Sequence, residues 1–131
     1  MTSTDPISNM IIALKNAGMV NKPSTTLPSS KLRLAIAELL VRQGYLDGIT
    51  KKGKGVKRFM ELSLAYKNGK PRIVDVRRVS KPSRRIYKGV RDILSIRQGH
   101  GLAVYSTPAG LLTGSEARKA NVGGELLFTL W

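Results

Sequence analysis

Hydrophobic residues recur every three or four positions in two early stretches, which predicts two amphipathic helices. The first is expected to begin at Asp5-Pro6, a pair typical of an N-cap and the first helical position, and to end at Gly18. Its inward face would consist of Ile7, Met10, Ile11 and Leu14. The second is expected between a cap at Ser29 or Ser30 and a stop at Gly44. Its inward residues would be Leu32, Ala35, Ile36, Leu39 and Leu40.

From Tyr45 onward the hydrophobic period shortens to two, as in a strand with one buried face. Strands are predicted at residues 45–49 and 59–66. They are joined by a hairpin tip at residues 51–55, which is too rich in lysine and glycine for burial. The proline-bounded segment 21–28 is predicted to be extended. The expected order is therefore helix-strand-helix-strand-strand.

A turn at residues 67–70, Lys-Asn-Gly-Lys, separates this part from a second lobe. Thr113 and Glu116 have the spacing of a capping box, which predicts that a helix begins there. The other elements expected in this lobe are strands at 73–79, 102–105 and 125–131 and a short helix at 88–96. The pattern predicts an α+β protein of two small lobes, residues 1–68 with helices and strands and residues 69–131 mostly β with short helices.

The chain of 131 residues carries 23 Lys and Arg against 8 Asp and Glu, a formal net charge of +15. This excess favours a nucleic acid over a membrane as partner, since no apolar run approaches the roughly 18 residues that cross a bilayer. Charge does not locate the site, because residues 1–66 carry 10 basic and 4 acidic groups and residues 67–131 carry 13 and 4. No signal peptide is recognisable, so a cytoplasmic protein is expected.

The sequence offers little for catalysis or metal binding. It has no cysteine, which excludes disulfides and thiolate metal sites, and its only histidine, His100, stands in a glycine-flanked turn. Residues 53–58 resemble a glycine-rich phosphate loop but lack its final Gly-Lys-Ser/Thr, and a strand is expected to follow them. We therefore expect neither an enzyme nor a bound cofactor or metal.

Two basic segments are candidates for phosphate contact. The cations at and just after the 51–55 tip either bind phosphates or keep an exposed turn soluble, and both interpretations stay open: Lys51, Lys52, Lys54, Lys57 and Arg58. Lys81, Arg84 and Arg85 are predicted to contact phosphates, since they stand near Tyr87, whose ring can stack on a base or ribose. The alternative is that Tyr87 and the preceding isoleucine enter the core and the arginines only flank them.

The segment Ser106-Thr107-Pro108-Ala109-Gly110 has hydroxyls, a proline and a glycine but no charge. The wide minor groove of duplex RNA displays 2′-hydroxyls and base edges, which short Ser and Thr side chains reach only where the backbone comes close. Glycine permits that approach and proline stiffens the turn. The segment is therefore predicted to discriminate among RNAs while lysines and arginines supply the attraction, unless it is a plain hairpin turn.

This segment, with Glu116-Ala-Arg118 and Val122-Gly-Gly-Glu125, resembles the signature of the small-subunit ribosomal protein eight family. The likeness covers nearly the whole chain and includes Asp5-Pro6-Ile7, Pro28-Ser-Ser-Lys-Leu32, Arg78-Val-Ser-Lys-Pro82 and Arg85-Ile-Tyr87. The resemblance implies a two-lobed α+β protein that binds the central domain of small-subunit ribosomal RNA early in assembly. It also implies contacts with neighbouring ribosomal proteins and, in some bacteria, repression of the protein's own messenger.

The RNA contacts implied by the resemblance are Ser106, Thr107, Gly110, Gly124, Glu125 and Tyr87, to which Lys31 of the Pro28–Leu32 motif is added. The family loop commonly reads Ser-Thr-Ser-Lys-Gly, so Pro108-Ala109 lacks a hydroxyl and a cation. Glu125 either accepts hydrogen bonds from RNA, holds an arginine or serine in place, or is a solvent-facing strand residue. The alternative from another class is a DNA-architectural protein, although basic arms and apolar wedges are not clearly present.

Overall fold

The computed structural model describes residues 5–54, 58–93 and 101–131. Contacts group the chain into two compact units, one of Pro6–Val74 and one of Asp75–Trp131 together with Asp5. Both units contain antiparallel sheets and helices, so the predicted α+β class is confirmed. His100 lies outside the described residues.

The first unit packs two helices against a three-stranded sheet. Its elements are α1 (Pro6–Met19), β1 (Ser24–Pro28), α2 (Lys31–Arg42), β2 (Leu46–Lys52), β3 (Phe59–Leu64), β4 (Tyr66–Lys67) and β5 (Lys70–Pro71). β3 is central in the order β1-β3-β2, and β4 pairs with β5 in a separate hairpin. The division expected after residue 68 falls inside this hairpin, whereas the observed units divide after Val74.

The end of α1 differs from the prediction of a stop at Gly18. The helix continues to Met19, and Gly18 is a packing position inside it, because an added Cβ would lie 3.1 Å from the Cβ of Pro71. The turn after the helix is made by Asn21, whose φ of 55° is left-handed. Close contact with β5, rather than chain reversal, explains this glycine.

The predicted ends of α2 are confirmed, but one interior position is not. The Ser30 hydroxyl accepts a hydrogen bond from the Arg33 amide at 3.2 Å, and Gly44 follows the helix with a φ of 84°. Leu32, predicted to face inward, is 40% exposed, whereas Ala37 is buried. Leu32 lies in the first turn, before the buried stretch of the helix begins.

The second unit is built around its last strand. Its elements are β6 (Val76–Arg78), β7 (Tyr87–Lys88), a 3₁₀ helix (Val90–Asp92), β8 (Leu102–Thr107), β9 (Gly110–Thr113), α3 (Gly114–Lys119) and β10 (Gly124–Leu130). β10 pairs with β8 along one edge and with β6 and β7 along the other, and β9 follows β8. All pairings are antiparallel, and the residues from Leu126 to Leu130 are buried, as expected of a central strand.

Some predicted elements of this unit are confirmed and others are not. The capping box is present, since the Thr113 hydroxyl accepts from the Glu116 amide and the Glu116 carboxylate accepts from the Thr113 amide. The helix predicted at 88–96 is wrong as far as residue 93. Lys88 belongs to β7, Gly89 is extended, and only Val90–Asp92 form a helical turn. Residues 94–96 lie outside the described part of the chain.

The core of this unit lies on one face of its sheet. Tyr105 of β8 and Leu126 of β10 stand opposite each other and pack with Ile93, Ala103 and Ala117. Burial raises the pKa of Tyr105, and the positive charge of Arg118 acts in the opposite direction. Because side chains alternate along a strand, the residue after Tyr105 and the residue before Leu126 point to the other face.

Candidate nucleic-acid interface

Three of the predicted RNA contacts lie side by side on the sheet of the second unit. Glu125 of β10 pairs with Tyr87 of β7 on one side and with Ser106 of β8 on the other. Residues opposite each other in neighbouring antiparallel strands project from the same face, so the three side chains form one row. We name Tyr87, Glu125 and Ser106 the recognition row. The strand pairing supplies the common face that the sequence did not reveal.

Tyr87 provides the largest surface of the recognition row. It is 69% exposed, whereas the preceding Ile86 is half-buried, so the alternative in which Tyr87 enters the core is wrong. The ring belongs to a strand that is paired to β10 and therefore stands on a fixed backbone. An exposed aromatic ring held in this way is a suitable platform for stacking on a base.

Glu125 is held by an arginine. Arg85 Nη1 donates to Glu125 Oε2 at 3.1 Å, and the Glu125 side chain is 14% exposed against 49% for Arg85. The carboxylate therefore lies deeper than the guanidinium that orients it. Within the described part of the chain, Oε1 has no hydrogen-bond partner. The paired and largely buried carboxylate shows that Glu125 is not a solvent-facing strand residue, which was one of its three predicted roles.

Two glycines bring the strands of the recognition row close together. A Cβ on Gly124 would lie 2.2 Å from the Ser106 carbonyl oxygen, and one on Gly123 would lie 2.5 Å from the Lys88 carbonyl oxygen. Both distances are shorter than real contacts allow, so neither position accepts a side chain without a backbone shift. Gly124, predicted as an RNA contact, has a structural reason to be glycine: it lets β8 approach β10.

The uncharged segment that follows Ser106 is a tight hairpin turn between β8 and β9. The Thr107 hydroxyl donates to the Gly110 carbonyl at 2.8 Å and accepts from the Ala109 amide at 3.1 Å. Gly110 has a φ of 106°, which favours glycine. The Ser106 hydroxyl has no such bond among the residues that the structure describes. The two hydroxyls therefore differ, since Thr107 builds the turn and Ser106 faces outward.

Ser80 was not among the predicted site residues, yet it positions the arginine-rich loop of residues 81–85. Its side chain is completely buried, and its hydroxyl oxygen accepts from the Ile86 amide at 2.9 Å and lies 3.2 Å from the Ile86 carbonyl, to which it can donate. Between these two residues the chain makes a tight turn, closed by reciprocal backbone hydrogen bonds between Lys81 and Arg84. In the sequence Ser80 is part of the motif Arg78-Val-Ser-Lys-Pro82, but the motif gave it no role, and a serine before a proline is equally typical of a solvent-exposed loop.

The remaining predicted contacts are not part of the recognition row. Lys81 and Arg84 are exposed at the two ends of the tight turn. Lys31 belongs to the other unit, where it is the exposed first residue of α2. Their side chains have no carboxylate within ion-pair distance among the described residues, so all three are able to meet an anion.

The first two residues of the tip predicted at 51–55, Lys51 and Lys52, belong to a strand, because β2 continues through Lys52. Lys51, Lys52 and Lys54 are exposed, and we name them the lysine tip. The Lys52 ammonium lies 3.5 Å from the Glu61 carboxylate, a long and half-exposed contact. With Arg58 these lysines line a groove of about 370 Å³. Residue 55, the last of the predicted tip, lies outside the described residues.

Within residues 5–54, 58–93 and 101–131, no group of three His, Cys, Asp or Glu side chains is arranged to hold a metal ion. In the same residues no helix has the length and apolar character that crossing a membrane requires. The recognition row, its hairpin and the turn at residues 81–84 carry the predicted RNA contacts of the second unit.

Comparison with known proteins agrees with the motifs in the sequence. The family model described as Ribosomal protein S8 matches residues 5–131. A Small ribosomal subunit protein uS8 from Leptothrix cholodnii is 46% identical over 127 residues, which cover 97% of each chain. Proteins of the same name from Paraburkholderia phymatum and Paraburkholderia xenovorans are 43% identical with the same coverage. The resemblance inferred from the motifs is confirmed, and the chain belongs to the ribosomal protein S8 family.

Proposed function

We propose that this chain is a structural protein of the small ribosomal subunit and that it recognises ribosomal RNA through the recognition row and the adjoining hairpin. Membership of the ribosomal protein S8 family makes it a non-enzymatic constituent of that subunit, with the ribosome in the cytoplasm as its place of action. The observation that carries the site is that a ring, a carboxylate and a hydroxyl project from one face of three paired strands.

Each member of the row offers RNA a different kind of contact. Tyr87 stacks on a base or ribose, Glu125 accepts hydrogen bonds from 2′-hydroxyl or amino groups, and Ser106 donates and accepts. An ionised carboxylate accepts hydrogen bonds and donates none, so it distinguishes donor groups from acceptor groups on the RNA surface. Together the three groups discriminate among RNA surfaces without adding positive charge.

Arg85 resolves the difficulty of placing an acid against a polyanion. An unpaired carboxylate would repel nearby phosphates, whereas the guanidinium at 3.1 Å neutralises Glu125 and leaves Oε1 available. This pairing supports a positioning role for Arg85 rather than the phosphate contact expected from its charge. Lys81 and Arg84, which have no such partner among the described residues, keep the phosphate role.

The backbone of the hairpin allows the RNA to come close. Pro108, Ala109 and Gly110 are exposed and carry no long side chain, so RNA can approach the turn to hydrogen-bonding distance. Thr107 keeps the turn in one conformation through its two hydrogen bonds. Because Pro108 and Ala109 lack the hydroxyl and the cation of the family loop, the contact we propose on this side is the hydroxyl of Ser106, a residue of a paired strand.

The target we propose is an irregular helix in the central domain of small-subunit ribosomal RNA. A regular A-form helix hides the major-groove edges of its bases in a deep, narrow groove, whereas bulges and distorted pairs expose amino groups and hydroxyls to a row of this kind. We further propose that the chain binds this RNA early in assembly and contacts neighbouring ribosomal proteins. We include in the proposal that it represses its own messenger. Repression requires that the messenger offer the row a similar irregular helix.

Chemical footprinting on protein-free small-subunit ribosomal RNA tests this proposal. Protection is expected within one irregular helix of the central domain, and it should weaken when Glu125 is replaced by Gln. The matched control is Glu38→Gln, which changes an exposed acid on α2 and should leave the footprint intact. A footprint confined to other domains, or one indifferent to Glu125→Gln, would contradict the assignment of this face.

Competition with DNA separates the proposal from the DNA-architectural alternative. A basic protein attracts both nucleic acids, but DNA has no 2′-hydroxyl for Glu125 and Ser106 to meet. An RNA hairpin with an internal bulge should therefore compete better than its DNA counterpart at physiological salt. Equal competition by a perfect DNA duplex would favour the architectural protein instead.

A further inference from the structure

A basic groove of about 830 Å³ lies beside β6, β7 and β10 of the second unit. Five of the residues that line it are cations: Arg77, Arg78, Lys81, Arg84 and Lys88. No Asp or Glu is among the described residues that line it. The groove lies outside the recognition row, and none of the row's three residues lines it.

Strand register places this groove on the opposite face of the sheet from the recognition row. Arg77 pairs with Thr129, and Thr129 pairs with Ala103, a residue of the core face. Lys88 follows Tyr87 directly in β7 and therefore projects away from the face that carries the row. α3 packs on β8 on this side of the sheet, which leaves the part near β6 and β7 open as the groove.

Four of the five cations are available to a ligand. Arg78 is engaged, because its guanidinium lies 3.0 Å from Asp5 and also donates to the Leu127 carbonyl. The side chains of the other four are exposed, and no ion pair to a carboxylate involves them among the described residues: Arg77, Lys81, Arg84 and Lys88. Like charges gathered around one groove repel one another, and a polyanion relieves that repulsion.

The rest of the lining suits a nucleotide better than an acidic peptide. Ile86 and Leu126 supply apolar surface, and Trp131, half-buried, supplies an indole ring. A nucleotide combines an anionic phosphate with a flat base that stacks on aromatic rings, whereas an acidic side chain has the charge without the flat surface. Cations beside a ring are the composition of proteins that bind single-stranded nucleic acid.

We propose that this groove binds a second segment of RNA, with phosphates on the four available cations and a base against the apolar lining. The second unit would then hold two RNA segments on opposite faces of one sheet and bring them together. RNA bound at the recognition row presents its other segments at a high effective concentration, so modest intrinsic affinity suffices. This concentration argument alone rests on the proposed function.

Because the chain has no cysteine, single cysteines can carry a thiol-directed photocrosslinker to each face. Ser83→Cys places it in the exposed turn between Lys81 and Arg84, and Ala109→Cys places it in the hairpin beside the recognition row. Each variant is bound to protein-free small-subunit ribosomal RNA and irradiated. We expect the Ser83 probe to crosslink nucleotides that the Ala109 probe does not reach.

Replacing Arg77 and Lys88 by Ala should lower the Ser83 crosslinks about tenfold, since two phosphate contacts are lost, and leave the Ala109 crosslinks in place. The charge-matched control replaces Lys70 and Lys119, which are exposed elsewhere, and should preserve both sets. Absence of RNA crosslinks from Ser83 would overturn the proposal, and so would crosslinks only to the nucleotides found with Ala109. Failure of the Ala109 crosslinks alone would contradict the recognition row and leave the groove standing.

Discussion

The lysine tip and the recognition row both lie on exposed parts of antiparallel sheets, yet they are built in opposite ways. The tip presents three lysines, and among the residues that the structure describes Lys52 alone has a carboxylate nearby, that of Glu61 at 3.5 Å. The row presents one ring, one carboxylate and one hydroxyl, each fixed by strand pairing or an ion pair. Long flexible cations attract any phosphate, whereas fixed polar groups accept only a surface that matches them. The comparison supports our proposal that attraction and discrimination are assigned to different parts of this chain.

The largest effect on stability and RNA binding is expected at Gly124, where the recognition row depends on the close approach of β8 to β10. Gly124→Ala would place a Cβ 2.2 Å from the Ser106 carbonyl oxygen, so β8 must shift away from β10. We expect a loss of about 1–3 kcal/mol in the free energy of unfolding, typical of overpacking, together with loss of cognate RNA binding. Urea denaturation and binding measurements check the two parts.

The control for this change is Gly89→Ala, because its added Cβ would meet only the Asp92 carboxylate at an ordinary 3.7 Å. This variant should keep both stability and binding. If Gly124→Ala were as stable and as active as Gly89→Ala, close packing of β8 on β10 would not be a requirement of the row.

The second effect concerns the acid of the row. Glu125→Gln should weaken cognate RNA by about 1.5–3 kcal/mol, the range for hydrogen bonds to charged groups, with little loss on nonspecific RNA. Arg85→Ala should produce the same pattern, because the carboxylate loses the group that orients it. Filter binding with cognate and scrambled RNAs measures both.

A double variant of Glu125 and Arg85 distinguishes positioning from phosphate contact. If Arg85 acts through Glu125, the double variant should lose little more than either single variant. Uniform weakening of all RNAs by Arg85→Ala would instead indicate a direct phosphate contact and remove Arg85 from the description of the row.

The sequence singled out the candidate site residues but did not reveal their arrangement. Helical periodicity located α1 and α2, and the motif resemblance singled out Tyr87, Glu125 and Ser106. Their common face depends on β7, a strand of only two residues that exists because β10 lies beside it. Local pattern cannot reveal such a strand, since its pairing is set by residues far away in the chain.

Other differences have the same origin. β9 was missed because Gly110–Thr113 is short and becomes a strand only by pairing with β8. Ser80 is indistinguishable in sequence from a loop serine, and its role comes from burial against Ile86. Gly18 carries the sequence signal of a helix stop, but contact with Pro71 explains it. In each case tertiary packing, rather than the local sequence, determines the structural role of the residue.

The third effect separates the two hydroxyls of the hairpin. Thr107→Ala should destabilise the turn, whereas Thr107→Ser keeps a hydroxyl and should retain it. Ser106→Ala should leave the fold intact and weaken cognate RNA by about 0.5–1.5 kcal/mol, the usual net value of one hydrogen bond. Ser115→Ala, at an exposed serine of α3, is the matched control. Loss of folding in Ser106→Ala would contradict its outward role.

The smallest effect concerns Tyr105, which is buried in the core on the opposite face of the sheet from the recognition row. Because burial raises the pKa of Tyr105, the unfolded chain releases this proton at a lower pH than the folded chain does. Stability from this group is therefore complete below the unfolded pKa, near 10, and declines as the pH rises above it. Tyr105→Phe should flatten that decline between about pH 9 and pH 11 in urea denaturation. An unchanged slope would show that Tyr105 does not titrate differently in the two states.

The most direct test of the division between attraction and discrimination is the salt dependence of RNA affinity. Replacing Lys51, Lys52 and Lys54 by Ala should weaken cognate and scrambled RNAs alike and reduce the slope of log K against log salt by about one unit or less per lysine. Ser106→Ala should lower affinity for the cognate RNA only and leave that slope nearly unchanged, since an uncharged hydroxyl releases no counterion. If Ser106→Ala kept the cognate preference, or if the lysine variants abolished it, discrimination would not lie in the recognition row.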